Sequence, residues 1–452
     1  MSTESRPYKY SQRADATEAR HAAADISADL RRGELLDVAF EKRVSPLDSR
    51  DRRWLQELVY GTLRQRGALD VHLAARVKGG LARVDADVTD LLRLGAYQLL
   101  HMGSVPAYAA IAQTVEVIKR RHGIGASKLG NAVLRRLDRE RDTLAAELTA
   151  LAGDPVDILA ARTSHPRWLV ARWVARWGAA ETEQLLAANN VEAPLALRPY
   201  GVVREQLETM LESAGVAVED APWLSDGVQV VGHVALRELG AFQRGLCFVQ
   251  DPAATLVARY AAVPAGAVVV DLCAAPGGKA LELSRTASLV IAADKSAARM
   301  ARVRDNLSRV DARNVAMVVA DGREFPAQSV DAVLVDAPCT GTGTFRRHPD
   351  ARWRLRVSDL AVTASAQRTL LRGAADIVRP GGLLIYSTCS LEPEENDEQV
   401  EQFLGDHADF SLEPPPLGTV PGPVLDAGRL RVLPQRHGVD GSFAARLRRS
   451  QP

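Results

Sequence analysis

Between residues 15 and 141 apolar side chains recur every three or four positions, as in Trp54, Leu55, Leu58, Val59 and Leu63, then Leu91, Leu92, Leu94, Tyr97, Leu99 and Leu100, then Ile111, Val115 and Ile118. That spacing lines one face of an α-helix, so an all-α bundle is expected here. Helix-start signals agree, with Asp48 ahead of the first run and Asp85 and Asp87 in the first turn of the next. Residues 1–12 are polar and aperiodic and are expected to form a mobile tail. After residue 150 the pattern becomes mixed. Trp168, Leu169, Val170, Trp173, Val174 and Trp177 keep a helical spacing behind Pro166. A short strand at 195–198, a helix at 204–214 and a second strand at 228–231 follow. This small α+β linker module reads as either a spacer or a second binding platform.

From Gly245 onward the rhythm changes to short, nearly continuous apolar runs separated by helices. Strands are predicted at 268–272, 290–293, 316–319, 332–335 and 383–386, with helices such as 297–308 and 367–378 between them. Such βαβ repetition predicts a doubly wound, Rossmann-like domain whose ligands bind beyond the carboxyl ends of the strands. The chain is thus expected to be multidomain, α and α/β. The predicted parts are a tail at 1–12, a helical domain at 13–150, a linker module at 151–240 and an α/β domain at 241–452.

Composition narrows this picture. A chain of 452 residues exceeds one ordinary core, and 46% apolar with 25% charged residues describes a soluble globular protein. No run of about 18 uncharged apolar residues and no apolar leader core is present, which points to the cytoplasm. The four cysteines, Cys247, Cys273, Cys339 and Cys389, are 26, 66 and 50 residues apart. This spacing fits neither a zinc site nor a disulfide scaffold, so reduced thiols and no metal are expected. The net charge of +1 hides an asymmetry: residues 1–150 hold 25 Lys and Arg against 20 Asp and Glu, a net +5, and the remainder 32 against 36, a net −4. A basic front half points to an anionic partner, nucleic acid being weighed evenly against plain solvated charge. Arg120, Arg121, Arg135 and Arg136 are the residues expected to line a phosphate-binding face, although each alone reads more readily as solubility charge.

The candidate chemistry sits at the predicted strand ends. The first strand runs into Cys273, Ala274, Ala275, Pro276, Gly277, Gly278 and Lys279, small residues that let backbone approach a ligand. The segment is neither a phosphate-cradling P-loop nor a dinucleotide fingerprint. Asp294, 23 residues after Asp271, ends the second strand where an acid accepts hydrogen bonds from a ribose diol. Asp321 follows the third, where it can meet an adenine edge, and Asp336 ends the fourth. Four acids along one crevice suit a cationic sulfonium nucleoside and would repel a pyrophosphate. Cys339 and Cys389 follow strands on the same edge. A buried cysteine is usually a small hydrophobe, but two at the ligand end of a sheet suit thiolate addition to C6 of a pyrimidine, which makes C5 nucleophilic enough to take a methyl group.

The strings DLCAAPGGK, VLVDAPCTGTG and YSTCSLEPEEN resemble the motifs of the RNA m5C methyltransferases of the Nop2/Sun type. LVYGTLRQRGALD and KLGNAVLRRL in the front domain resemble NusB, and the pairing is similar to that of bacterial 16S rRNA cytosine methyltransferases. The resemblance implies a NusB-like RNA-binding bundle ahead of a catalytic domain that uses S-adenosyl-L-methionine. It implies that residues 273–279 wrap the methionine part of the cofactor, Asp294 the ribose and Asp321 the adenine. Asp336 would lie near cofactor and base, Cys389 would be the nucleophile, and Cys339 would aid product release. The chain departs from the pattern at Ala280, where the family has Thr, and at Ser442 and Phe443, where it has two aromatics. Beside the Cys339 motif, Arg346, Arg347 and Arg352 are expected to grip RNA phosphates, with Trp353 stacking or packing. A tRNA substrate, an antitermination-type RNA-binding role, and a DNA cytosine methyltransferase with its nucleophile in the Pro-Cys motif stay open as alternatives. The sequence does not set the oligomeric state; a monomer is favoured.

Overall fold

The computed structural model describes residues 17–327 and 329–451, so the tail expected at 1–12 lies outside the described residues. The described residues form two compact units, one ending at Gly178 and the other beginning at Ala179.

The first unit is helical throughout. Helices Glu18–Arg31, Ser49–Arg64, Arg66–Ala74, Ala86–His101 and Ala107–Arg139 surround a core that includes Ile26, Leu55, Leu58, Leu92, Ile118 and Leu134. The predicted start signals act as caps: Asp48 accepts from the Asp51 amide at 2.8 Å, and Asp85 from Asp87 at 2.8 Å. The unit extends past residue 150, where the helical domain was expected to end. Helix Pro155–Thr163 belongs to it, because the Ala68 amide donates to Ser164 Oγ at 3.1 Å and the backbone at Gly67 closes on Ser164. The unit ends at Gly178, whose φ of 79° interrupts the helical stretch Arg167–Asn190.

The second unit holds two sheets. The smaller comprises β1 (Ala196–Pro199), β2 (Val218–Asp220), β3 (Val228–Val230) and β4 (Cys247–Val249), antiparallel in the order β2-β3-β1-β4. β4 lies beyond residue 240, so the module reaches further along the chain than its expected end. The larger sheet comprises β5 (Val268–Leu272), β6 (Leu289–Asp294), β7 (Val315–Val319), β8 (Val330–Asp336), β9 (Val378–Thr388), β10 (Phe410–Leu412), β11 (Leu425–Asp426), β12 (Arg429–Val432) and β13 (Ser442–Arg449). Its order is β11-β12-β13-β9-β8-β5-β6-β7, with β10 paired to β13. β7, β6, β5, β8 and β9 are parallel, and β13 is antiparallel to β9. The strand order reverses between β5 and β8, and a doubly wound sheet opens its ligand crevice at that point. Val269, Val270, Val333 and Val335 are fully buried because helices cover both faces, which is why these strands read as continuous apolar runs. Among the described residues no helix is long and apolar enough to cross a membrane.

Candidate active site at the carboxyl ends of the parallel strands

The expected cofactor segment leaves β5 through Cys273, a non-glycine residue at φ 63°, and Gly277 at φ 101°. Both values lie in the left-handed region, where a side chain is strained, so this turn is held by its surroundings. Asn306 pins it by donating to the Pro276 carbonyl at 3.0 Å. Asp294, the last residue of β6, accepts from the Ser296 amide and from Arg299, both at 2.8 Å, through Oδ1. Its Oδ2 is buried without a hydrogen-bond partner, and so are both carboxylate oxygens of Asp271. Burial pushes the Asp271 carboxyl up to about 8, helped by the charges of Asp336 and Asp294 and opposed by Lys279. The Cys273 thiol rises to about 12, through burial first and then the same acids. Asp321 is held down at about 2 by the Arg323 side chain, whose Nε lies 2.9 Å from its Oδ1.

Across the switch point, Lys279 Nζ donates to Asp336 Oδ2 at 2.7 Å, and Ser387 Oγ donates to Asp336 Oδ1 at 2.9 Å. Burial works against the lysine charge, but Asp336, Asp271 and Cys389 more than offset it and hold the ammonium above its ordinary range. Asp336 pairs in register with Ser387, and the Ala337 amide continues the ladder to the Ser387 carbonyl at 2.8 Å. The loops after β8 and β9 therefore leave the sheet side by side, and the Cys339 and Cys389 sulfurs lie 3.3 Å apart. The Cys339 thiol is pushed well above the usual cysteine range by its contact with Cys389, then by burial and by the charges of Cys389 and Glu395. The loops lock at Gly343, whose amide donates to the Cys389 carbonyl at 2.9 Å; a Cβ there would lie 2.8 Å from that oxygen and 2.7 Å from Gly441 Cα.

The arginines expected to grip phosphate beside this site are corrected. Arg352 is fully buried, donating to Asn190 Oδ1 at 2.7 Å and to the Asn189 carbonyl at 2.9 Å. Arg346 is buried on the Gly438 carbonyl at 2.7 Å, and Arg347 bridges Asp440 and Asp251, both at 2.5 Å. Internal carbonyls and carboxylates supply the partners that RNA was expected to supply, and Trp353 is half-buried among them. In the first unit Arg121 pairs with Asp25, whereas Arg120 and Arg136 pair with Glu116 and Glu140 one helical turn away and remain exposed. Arg135 is exposed and donates to Asn131 at 2.9 Å.

Comparison with known proteins assigns the family. The model of 16S rRNA methyltransferase RsmB/F matches residues 261–448, that of the NusB family residues 17–139, and that of the RsmF/B-like ferredoxin-like domain residues 165–237. The probable ribosomal RNA small subunit methyltransferase B of Synechocystis is 33% identical over 447 residues, spanning 96% of this chain and 99% of its own. The chain belongs to the ribosomal RNA small subunit methyltransferase B family. The Pseudomonas syringae member is 34% identical, over 94% of this chain and 95% of its own. Among solved structures, PH0851 superposes with a TM-score of 0.78 at 26% identity, covering 96% of this chain and all of that one. A methyltransferase homolog protein from Pyrococcus horikoshii gives 0.56 at 26%, covering 66% and 100%. The protein is therefore an RNA methyltransferase with a NusB-like helical domain, a ferredoxin-like module and a Rossmann-like catalytic domain.

In this methyltransferase, Glu395, Asn396 and Gln367 surround the two cysteine loops, and sequence reasoning passed over all three. Asn396 accepts from Thr388 Oγ1 at 2.5 Å and donates to the Ser390 carbonyl at 2.8 Å, bracing Cys389 from both sides. The acidic run Glu392, Glu394, Glu395 is visible in the sequence, but only side-chain direction reveals that Glu395 is the one turned toward the Cys339 loop.

Proposed function

We propose that this protein transfers a methyl group from S-adenosylmethionine to C5 of a cytosine in RNA, 16S rRNA in keeping with its family, through a covalent bond between Cys389 and C6 of the base. The observation that carries this reading is the pair of sulfurs 3.3 Å apart beside the hydrogen-bonded Lys279 and Asp336. The residues present fit the cofactor. Asp294 Oδ2 is a buried acceptor without a partner, at the position where a ribose diol donates. Asp294 would hold the ribose, the turn 273–279 the methionine part and Asp321 the adenine. S-adenosylmethionine, when bound, supplies a methyl group made electrophilic by its sulfonium.

The chain's own residues supply the rest. Cytosine C5 is too weak a nucleophile to take the methyl directly, and a bond from the Cys389 thiolate to C6 turns it into an enamine-like carbon. Asp336, oriented by Lys279 and Ser387, would hold the amino group or protonated N3 of the base. After C5 is methylated it loses its proton to a base; that electron pair re-forms the C5–C6 double bond, and the C6–S bond breaks to return the thiolate. Cys339, 3.3 Å away, assists this release. A cytosine inside a stacked helix is out of reach, so the substrate is a flipped or loop cytosine.

The test is incubation with labelled S-adenosylmethionine and unmodified 16S rRNA, followed by mapping of 5-methylcytosine. Cys389→Ala is expected to abolish transfer, and Cys339→Ala to accumulate a covalent protein–RNA adduct on denaturing gels. An adduct formed by Cys389→Ala instead would reverse the two roles, and absence of label from every RNA would overturn the proposal.

A further inference from the structure

Glu395 has no exposed surface, yet it carries a carboxylate. Burying such a group is costly unless its lone pairs are filled, and here they are filled mainly by the loop that carries Cys339. Oε1 accepts from the Thr340 amide at 2.9 Å and from Gln367 Nε2 at 3.1 Å, and Oε2 accepts from the Thr340 hydroxyl. The same Gln367 nitrogen donates to the Pro338 carbonyl at 2.9 Å, so both neighbours of Cys339 in the chain are held. Thr340 Oγ1 lies 3.3 Å from Ser390 Oγ, which links this network to the residue after Cys389. The Glu395 carbonyl is fixed in turn by Tyr386 OH at 2.6 Å. A single side chain thus determines where the Cys339 loop stands against β9 and its cysteine.

We propose that Glu395 is a positioning residue for methyl transfer: by clamping Thr340 it sets the Cys339 sulfur where release of the methylated base from Cys389 requires it. The inference rests on the roles proposed above for the two cysteines. The negative charge of Glu395 also disfavours ionisation of Cys339. Glu395→Gln is the informative substitution. Its amide oxygen can still accept from Thr340 and Gln367, which preserves the fold, while its nitrogen replaces the acceptor facing the Thr340 hydroxyl and the charge is lost. A displacement on the scale of an ångström costs about 100-fold in rate.

The experiment measures kcat, KM for RNA, melting temperature and covalent adduct on denaturing gels for Glu395→Gln, Thr340→Val and Thr340→Ser, with Cys339→Ala alongside. Glu395→Gln and Thr340→Val are expected to lower kcat by about 100-fold, to leave KM unchanged and to accumulate adduct. Thr340→Ser, which keeps the hydroxyl, is expected to behave like the unaltered protein. If Cys339→Ala accumulates adduct and Glu395→Gln does not, the positioning role is wrong and the reading of the cysteines stands. If Cys339→Ala accumulates none, that reading fails first. A kcat loss matched by a loss of folded protein would reduce Glu395 to a structural residue and overturn the inference.

Discussion

Asp271 ends β5 fully buried, with neither carboxylate oxygen hydrogen-bonded. Burial and then the neighbouring acids push it up to about 8, whereas an aspartate in an unfolded chain titrates near ~3.9. Between those values the native protein keeps a proton that the unfolded chain has released. The stability this group contributes is complete below about pH 4 and is lost as pH rises through about 8. Asp271→Asn is expected to flatten the fall in stability across that window, read by denaturant unfolding at stepped pH without cofactor; an unaltered slope would contradict the assignment. Arg352 offers a second check at this scale. Arg352→Met is expected to lower unfolding stability by about 3 kcal/mol, because Asn190 and two backbone carbonyls lose a charged donor. The salt dependence of RNA binding should stay the same, since Arg352 reaches no phosphate. Strand-end acids such as Asp294 and Asp336 were legible in the sequence, for a residue that closes a strand is located by the apolar run before it. The internal pairing of Arg346, Arg347 and Arg352 was not, because Asn190, Asp251, Gly438 and Asp440 lie far from them along the chain.

At the scale of elements, legibility followed burial. β5 and β8, covered on both faces, announce themselves as apolar runs, and their predicted positions match the structure closely. β13 lies outside the predicted strands because Arg446, Arg448 and Arg449 break its apolar run, and Glu413 pairs the first two and Asp409 the third. Helix Val357–Ile377 begins well ahead of the predicted 367–378, since exposed Val357 and Val362 blur its apolar stripe. Close packing of elements also makes a testable demand at Gly61 in helix Ser49–Arg64, where a Cβ would lie 2.0 Å from the Tyr97 ring. Gly61→Ala is expected to destabilise the first unit by about 1–3 kcal/mol. Urea unfolding measures it, and adding Tyr97→Leu should recover part of the loss; no destabilisation would mean that the helices shift freely.

On the scale of the whole molecule, the sequence anticipated a helical part, an α+β module and a Rossmann-like part in that order. The helical unit reaches Gly178 because helix Pro155–Thr163 docks on helix Arg66–Ala74, a tertiary contact with no local signal. The basic charge of residues 1–150 becomes an RNA surface only if its exposed arginines meet phosphate. Replacing Arg135 and Arg136 by Ala is expected to lower the slope of log affinity against log salt by about 1–2, measured by RNA binding over a salt series. An unchanged slope would leave them as solvated charge.

The parallel pairing of β8 with β9 matches Asp336 to Ser387 and sends the Cys339 and Cys389 loops out together. Backbone hydrogen bonds therefore fix the strand register from which both loops start, and Glu395 then holds the Cys339 loop within it. Most side chains along this pair could drift over generations without changing the gap. A slip of one residue would instead carry one sulfur ~3.3 Å along its strand and turn that strand's polar residue, Asp336 of β8 or Ser387 of β9, to the opposite face.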